Sequence, residues 1–241
     1  MTAPSLSEFS APGDRPVALV TGASNGMGRE IARELARTHR VIAVGRDEAR
    51  LDAVAAETGA ETWQLDVTDD AAFAARVAEL ERLDVLVHAA AIALQLSVSE
   101  ASAAEWHEQF AVNVTAPAVL TRHALPLLRA TEGTVIFLGS GASTRPVPGN
   151  ATYTASKHAL RAIADVLRID EEPHRVRVVT VAPGQTDTDM LRSLVPADGY
   201  EPSRYIRPTS IASTVRFVVD APADVQITDI AVRPRQEIAR L

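Results

Sequence analysis

The chain contains no cysteine, which excludes a disulfide framework and a thiol nucleophile. It has no run of eighteen consecutive apolar residues, so no membrane partner is expected through a spanning helix. It has no basic excess either. Its 24 Lys and Arg stand against 31 Asp and Glu, a formal charge of −7. That is the wrong sign for a surface built to hold phosphate backbones, and no nucleic-acid partner is expected. The six histidines, His39, His88, His107, His123, His158 and His174, lack close-paired ligand spacing, so no metal site is expected. Residues 1–15 show neither a basic start nor an apolar run and do not read as a signal peptide; residues 1–14 read as a flexible N-terminal arm. The lack of cysteine fits a reducing compartment, and a cytoplasmic location is expected.

What is present is a packed globule. Hydrophobic residues make up 46% of 241, enough for one sizeable core, and residues 15–241 read as a single domain. Apolar runs at 17–20, 40–44, 61–65, 83–87, 133–138, 175–181 and 225–232 predict seven strands. A first helix follows the opening strand with apolar positions Ile31, Leu35 and Ala36, and further helical patterns fall at 47–57, 68–80, 99–129, 151–169 and 208–219, with Thr68 expected to cap the third. Strands alternating with helices imply a doubly wound α/β fold, a parallel sheet covered on both faces. Residues 185–207 read as an irregular segment that closes over bound ligand as a short lid.

The first strand runs straight into Thr21-Gly22-Ala23-Ser24-Asn25-Gly26-Met27-Gly28 and a helix. Glycines here turn the chain tightly, admit a diphosphate to the backbone and let helix approach strand. The helix start offers free N–H groups to phosphate. A nucleoside-triphosphate loop is disfavoured, because no Gly-Lys-Ser/Thr follows. Gly22-x-Ser24-x-Gly26 also fits a hydrolase nucleophile elbow, with His158 or His174 as base; its place after the first strand argues against that. In open α/β sheets ligands bind beyond the carboxyl ends of the strands. The unusual residues lie there: the glycine loop, Arg46, Asp66, His88, Ser140 and Pro183-Gly184.

Tyr153 and Lys157 stand four residues apart, on one face of a predicted helix. A phenol titrates near about pH 10; a neighbouring ammonium favours the phenolate and is expected to lower that value, making a general acid/base. Ser140, ending the preceding strand, places a hydroxyl where it can hold a carbonyl oxygen beside the phenol. Pro117 lacks an N–H, so the Asn113 carbonyl four residues back is expected to be free to hold a water.

Together Thr21-Gly22-x-x-x-Gly26-x-Gly28, Asp66, Asn113, Ser140, Tyr153-x-x-x-Lys157 and Pro183-Gly184 resemble the short-chain dehydrogenase/reductase family, of classical type and Rossmann fold, over about residues 15–235. The resemblance implies that Tyr153 exchanges a proton with the substrate oxygen and that Lys157 lowers its pKa and binds the nicotinamide ribose. Ser140 would orient the carbonyl and Asn113 keep a water relay. Asp66 and Val67 would lie against adenine, and Pro183, Gly184 and Thr188 would border the nicotinamide. Ser24, Asn25, Met27, Ala89, Ala90 and Thr186 complete the expected cofactor set. Two stretches depart from the family pattern. Asn-Asn-Ala-Gly is replaced by His88-Ala89-Ala90-Ala91, where altered packing is expected. The usual terminal Asp-Gly-Gly is replaced by Val232-Arg233-Pro234-Arg235-Gln236, which leaves a homodimer and a homotetramer equally open.

At the end of the second strand an acidic residue suits NAD and an arginine suits the 2′-phosphate of NADP. Here Arg46 stands there and Asp47 reads as a helix cap, so NADP(H) is favoured over NAD(H). The expected function is hydride transfer between this cofactor and a small carbonyl or alcohol substrate. Residues 141–148 with Gln185, Met190, Leu191, Leu194, Val195, Tyr200 and Tyr205 are expected to wall the pocket; Arg145 and Arg192 are candidates to meet an acidic group, with solvated surface the expected fate of each. The alternative is a catalytically silent NADP-binding regulator or scaffold of the same fold.

Overall fold

A computed structural model describes residues 15–236; the expected arm at 1–14 lies outside the described residues. Strands β1 (Val17–Thr21), β2 (Arg40–Gly45), β3 (Glu61–Gln64), β4 (Val85–His88), β5 (Thr134–Leu138), β6 (Arg177–Pro183) and β7 (Asp229–Val232) form one sheet in the order β3-β2-β1-β4-β5-β6-β7. Every neighbouring pair is parallel. Strand order reverses between β1 and β4, which opens a crevice at their carboxyl ends.

Side chains alternate across the strands, so each of the five inner strands feeds two cores. From β1, Ala18 and Val20 join Ile31, Ala32 and Leu35 of α1 (Gly26–Leu35), Leu51 and Val54 of α2 (Glu48–Thr58), and Ile211 and Val215 of α8 (Pro208–Val219). Val17 and Leu19 face the other way, toward Phe73 and Val77 of α3 (Asp70–Ala78), Leu120 and Leu128 of α5 (Ala116–Ala130), and Leu160 and Ala164 of α6 (Ala151–Asp170).

Three details differ from the sequence expectations. The cap of α3 is Asp69, whose side chain accepts from the Ala72 N–H; Thr68 instead donates its hydroxyl to Asp66 Oδ1 at 2.7 Å. A carboxylate is the stronger acceptor for a helix's first amides and wins the position. Strand β7 is only four residues long, and just before it the Gln226 side chain, not backbone, bonds the Val178 carbonyl at 3.0 Å. The long helix expected at 99–129 is α4 (Ala103–Phe110), a π-helical turn at Ala111–Thr115, then α5. Approaching Pro117, the turn widens, and the Ala116 N–H reaches the Ala111 carbonyl five residues back.

The segment 185–207 is stapled rather than loose. It holds the short helix α7 (Asp189–Leu194) and two single turns. Asp187 accepts from Tyr200 Oη at 2.6 Å and from Arg192 Nε at 2.9 Å. Tyr205 is buried and stacks on Tyr200 with ring centroids 4.6 Å apart. Tyr200 and Tyr205 are therefore internal braces of this segment, where pocket walls were expected.

Candidate active site

At the crevice, Gly22 and Gly26 adopt φ of +67° and +54°, conformations that glycine tolerates best. A Cβ on Gly22 would come within 2.7 Å of the Ala90 backbone, and one on Gly28 within 2.7 Å of the Gly22 carbonyl carbon. The glycines thus let the loop after β4 and the start of α1 press against the turn. Thr21 fastens this contact, its Oγ1 accepting from the Ala89 N–H at 3.1 Å and the Ala90 N–H at 3.3 Å. Asn25 caps α1 by accepting from the Gly26 N–H at 2.7 Å. The next amides, of Met27 and Gly28, have no backbone acceptor among the described residues. A helix start with open amides, stripped of side chains, fits a diphosphate.

The crevice widens into a cleft of about 310 Å³. Gly22, Ser24, Asn25, Gly26, Met27, Gly28, Arg46, Asp66, Val67, Ala89, Ala90 and Thr188 all line it. Sequence reasoning missed Ile92, Val112 and Asp189, which line it too; none carries a motif that would have marked it. Asp47 accepts from the Arg50 N–H at 3.0 Å and so is committed to capping α2. Arg46 is 72% exposed at the rim, 3.7 Å from Asp66. The Asp66 carboxyl is held below the usual range, first by the Thr68 backbone and hydroxyl bonds and less by Arg46.

Pro183, Gly184 and Thr186 are not in that cleft wall. Thr186 is buried, and its hydroxyl donates to the Gly184 carbonyl at 3.0 Å. Thr188 caps α7, accepting from the Leu191 N–H at 3.3 Å.

The chemical residues gather beyond β5. Ser140 opens a single turn at Gly141–Ser143 and accepts from the Ala142 N–H at 3.1 Å. Tyr153 and Lys157 lie on the first turns of α6. Lys157 is the chain's only lysine. It is buried, and its Nζ donates to the Leu138 carbonyl at 2.9 Å and stands 5.7 Å from the Tyr153 ring centroid. Burial pushes its pKa down to about 8. The expected lowering of the Tyr153 pKa is not what these neighbours produce: burial raises the phenol's pKa, opposed by a hydrogen bond with Ser140. The Lys157 ammonium is directed at the Leu138 carbonyl, and desolvation is the leading influence on the half-buried phenol.

Asn113 is buried and grips the loop after β4: its Oδ1 accepts from the Ile92 N–H, and its Nδ2 donates to the Ile92 carbonyl, each at 2.9 Å. Nδ2 also reaches Ser156 Oγ at 3.2 Å, whose hydroxyl donates to the Tyr153 carbonyl at 2.8 Å. Gln109, one turn earlier, repeats the grip on Ile92 and Leu94; its helical spacing from Asn113 was the signal available in the sequence. At the departure after β4, buried His88 stacks on Phe137 with centroids 5.0 Å apart. Its Nε2 bonds Thr121 Oγ1 at 2.8 Å.

For the hydrolase reading, the described residues place no histidine in hydrogen-bond contact with Ser24. His174 precedes β6 at the opposite end of the sheet, and the exposed His158 bonds the Thr154 carbonyl. Among the described residues there is no cluster fit to hold a metal ion and no helix long and apolar enough to cross a membrane.

Residues 16–199 match the short chain dehydrogenase family. An NADP-dependent 3-hydroxy acid dehydrogenase of Salmonella typhimurium is 33% identical, over 90% of this chain and 94% of its own. Among solved structures, the closed form of a serine dehydrogenase complexed with NADP+ superposes with a TM-score of 0.86 at 31% identity, covering 93% of this chain and 98% of that one. A 3-ketoacyl-(acyl-carrier-protein) reductase from Brucella melitensis complexed with NADH gives 0.82 at 26% identity, covering 92% and 98%.

Proposed function

The chain belongs to the short-chain dehydrogenase/reductase family, and from that premise we propose that it interconverts a small carbonyl compound and its alcohol. NADP(H) is the favoured nicotinamide cofactor. The observation that carries this reading is the convergence of Ser140, Tyr153 and Lys157 beyond β5, beside a cleft whose glycine floor and open helix start fit a dinucleotide.

When bound, the cofactor supplies a hydride to the carbonyl carbon, or accepts one from the alcohol. Every other part belongs to the chain. Ser140 donates a hydrogen bond to the substrate oxygen and holds it beside the phenol. Tyr153 gives its proton to that oxygen as the C–H bond forms and the C=O π bond breaks, so the substrate is reduced. A phenol is protonated at neutral pH, as an acid should be, and burial shifts its pKa further upward. Lys157, held by the Leu138 carbonyl, faces the charge that develops on the ring. Asn113 positions the turn carrying Tyr153, and the carbonyl that Pro117 cannot engage anchors a water that returns the proton.

Two features support NADP. Arg46 stands exposed at the rim, and Asp47, the acid beside it, is engaged as a helix cap. The 3-hydroxy acid dehydrogenase similar to this chain is NADP-dependent by name and the serine dehydrogenase was solved with NADP+, whereas the ketoacyl reductase was solved with NADH. Assembly as a homodimer or homotetramer in the cytoplasm completes the proposal, with Val166 and Ile169 on α6 and Phe217 on α8 as exposed apolar surface.

The test is consumption of NADPH and NADH over a panel of aldehydes, ketones and oxo acids. Tyr153→Phe is expected to abolish turnover while still binding cofactor. Arg46→Ala should weaken NADPH binding about tenfold, the weight of one charge-assisted contact, and spare NADH. Tight NADPH binding with no turnover on any substrate would favour the silent regulator; equal loss of both cofactors in Arg46→Ala would remove the NADP assignment.

A further inference from the structure

Strand β7 ends beside β6, with Val232 in register with Pro183 and the Gly184 N–H donating to the Val232 carbonyl at 2.7 Å. The next residues are pressed onto the sheet's carboxyl edge. Pro234 Cδ lies 3.0 Å and Arg233 Cδ 3.5 Å from where a Gly184 Cβ would stand. From there the half-buried Arg233 reaches across to β5. Its Nη1 fills the space of a Gly141 Cβ, with Nη2 and Cζ 3.1 Å from that point. Gly141 is the residue immediately after Ser140, on the turn that Ser140 and Ser143 pin with mutual bonds.

Resting on the oxidoreductase reading, we infer that Arg233 is a specificity-determining residue that receives a carboxylate on the substrate, so that the preferred substrates are oxo acids and hydroxy acids. A guanidinium presents a planar fork that matches a carboxylate, and partial burial strengthens the pairing. Other cations near the site are engaged or remote. Lys157 is bound to the Leu138 carbonyl, Arg192 to Asp187, and Arg145 is exposed on its loop. Among the described residues Arg233 makes no hydrogen bond or ion pair, and glycine at both 141 and 184 leaves it room to pass. Any side chain at Gly141 would take the place of the guanidinium. Hydride still goes to the carbonyl carbon and the proton to its oxygen; Arg233 holds the far end of the molecule.

The experiment compares matched acids and esters, pyruvate with methyl pyruvate and acetoacetate with methyl acetoacetate, in the natural protein, Arg233→Met and Arg233→Lys. The natural protein is expected to prefer the acids. Arg233→Met should raise KM for the acids about 10- to 100-fold, the loss of charged hydrogen bonds, and leave the esters within about twofold. Arg233→Lys should recover part of the loss. Calorimetric binding of 3-hydroxybutyrate and its methyl ester, with the oxidised cofactor present, gives a readout without turnover. If neither acids nor esters react but hydroxybutyrate binding still needs Arg233, the oxidoreductase reading fails and the anion site stands. If Arg233→Met loses acids and esters alike, or the natural protein binds ester as tightly as acid, Arg233 is a brace for the Gly141 turn and the inference is overturned.

Discussion

Lys157 shows how much a single side chain's surroundings decide. In sequence it is the positive member of a pair four residues apart, and only the fold puts its Nζ on a backbone carbonyl. Burial without a carboxylate partner lowers its pKa to about 8. Because the chain has no other lysine, selective carbon-13 labelling of lysine gives a single side-chain spectrum, and its titration midpoint is expected near pH 8. The charge is present below that pH and lost above it, so carbonyl reduction should decline as pH rises through the same range. A midpoint at the free-lysine value would mean that Lys157 reaches solvent and does not rest on the Leu138 carbonyl.

At the scale of elements, the loop from Ile92 to Leu96 is the joint. Asn113 and Gln109 hold it from the π turn and α4. On its other side it holds α6, through Thr152 Oγ1 to the Leu94 carbonyl at 2.9 Å and the Ala151 N–H to the Leu96 carbonyl at 2.8 Å. Tyr153 follows directly on these residues. Asn113→Ala removes the bonds to Ile92 and Ser156 from a buried site; the Ile92 carbonyl keeps the Gln109 amide, but the Ile92 N–H is left unpaired, which costs about 2 kcal/mol. Urea denaturation should show that loss, together with a lower kcat at unchanged cofactor affinity. Unchanged stability would mean that the loop is held elsewhere. The π turn itself was not legible: Pro117 signals that one bond must fail, but whether the helix kinks or widens depends on what the neighbouring loop offers the freed groups.

For the whole molecule, the sheet's two cores leave room for buried groups that register pH. His88 and His39 are buried, and desolvation lowers their pKa values to about 3 and about 4, with Arg216 adding to the effect on His39. Unfolded, each titrates near about 6.5. Below that pH the unfolded chain takes up protons that the folded chain refuses, so stability falls as pH drops from about 6.5 toward 4, by about 1.4 kcal/mol per pH unit for each histidine. Buried Glu171, whose carboxyl Arg129 holds below the usual range by two bonds of 2.7 Å, adds loss in the same direction at lower pH. Guanidine unfolding at pH 7, 6 and 5 should show the decline, and His39→Asn should about halve its slope, leaving the His88 share. A flat profile in the natural protein would mean that both histidines reach solvent.

Periodicity and punctuation in the chain determined the seven strands, the glycine turn, the Tyr153–Lys157 pair and the capping role of Asp47, because each depends on residues close together in sequence. Alternation of side chains along a strand and the φ freedom of glycine are local properties, and they read directly. Tertiary structure alone decided what Gln109 and Asn113 grip, that Tyr205 turns inward and that desolvation leads the influences on the Tyr153 phenol. It alone carried Arg233 from the end of β7 to the residue beside Ser140. These outcomes join residues tens of positions apart, and the desolvation and packing that govern them exist only once the sheet has brought its carboxyl ends together.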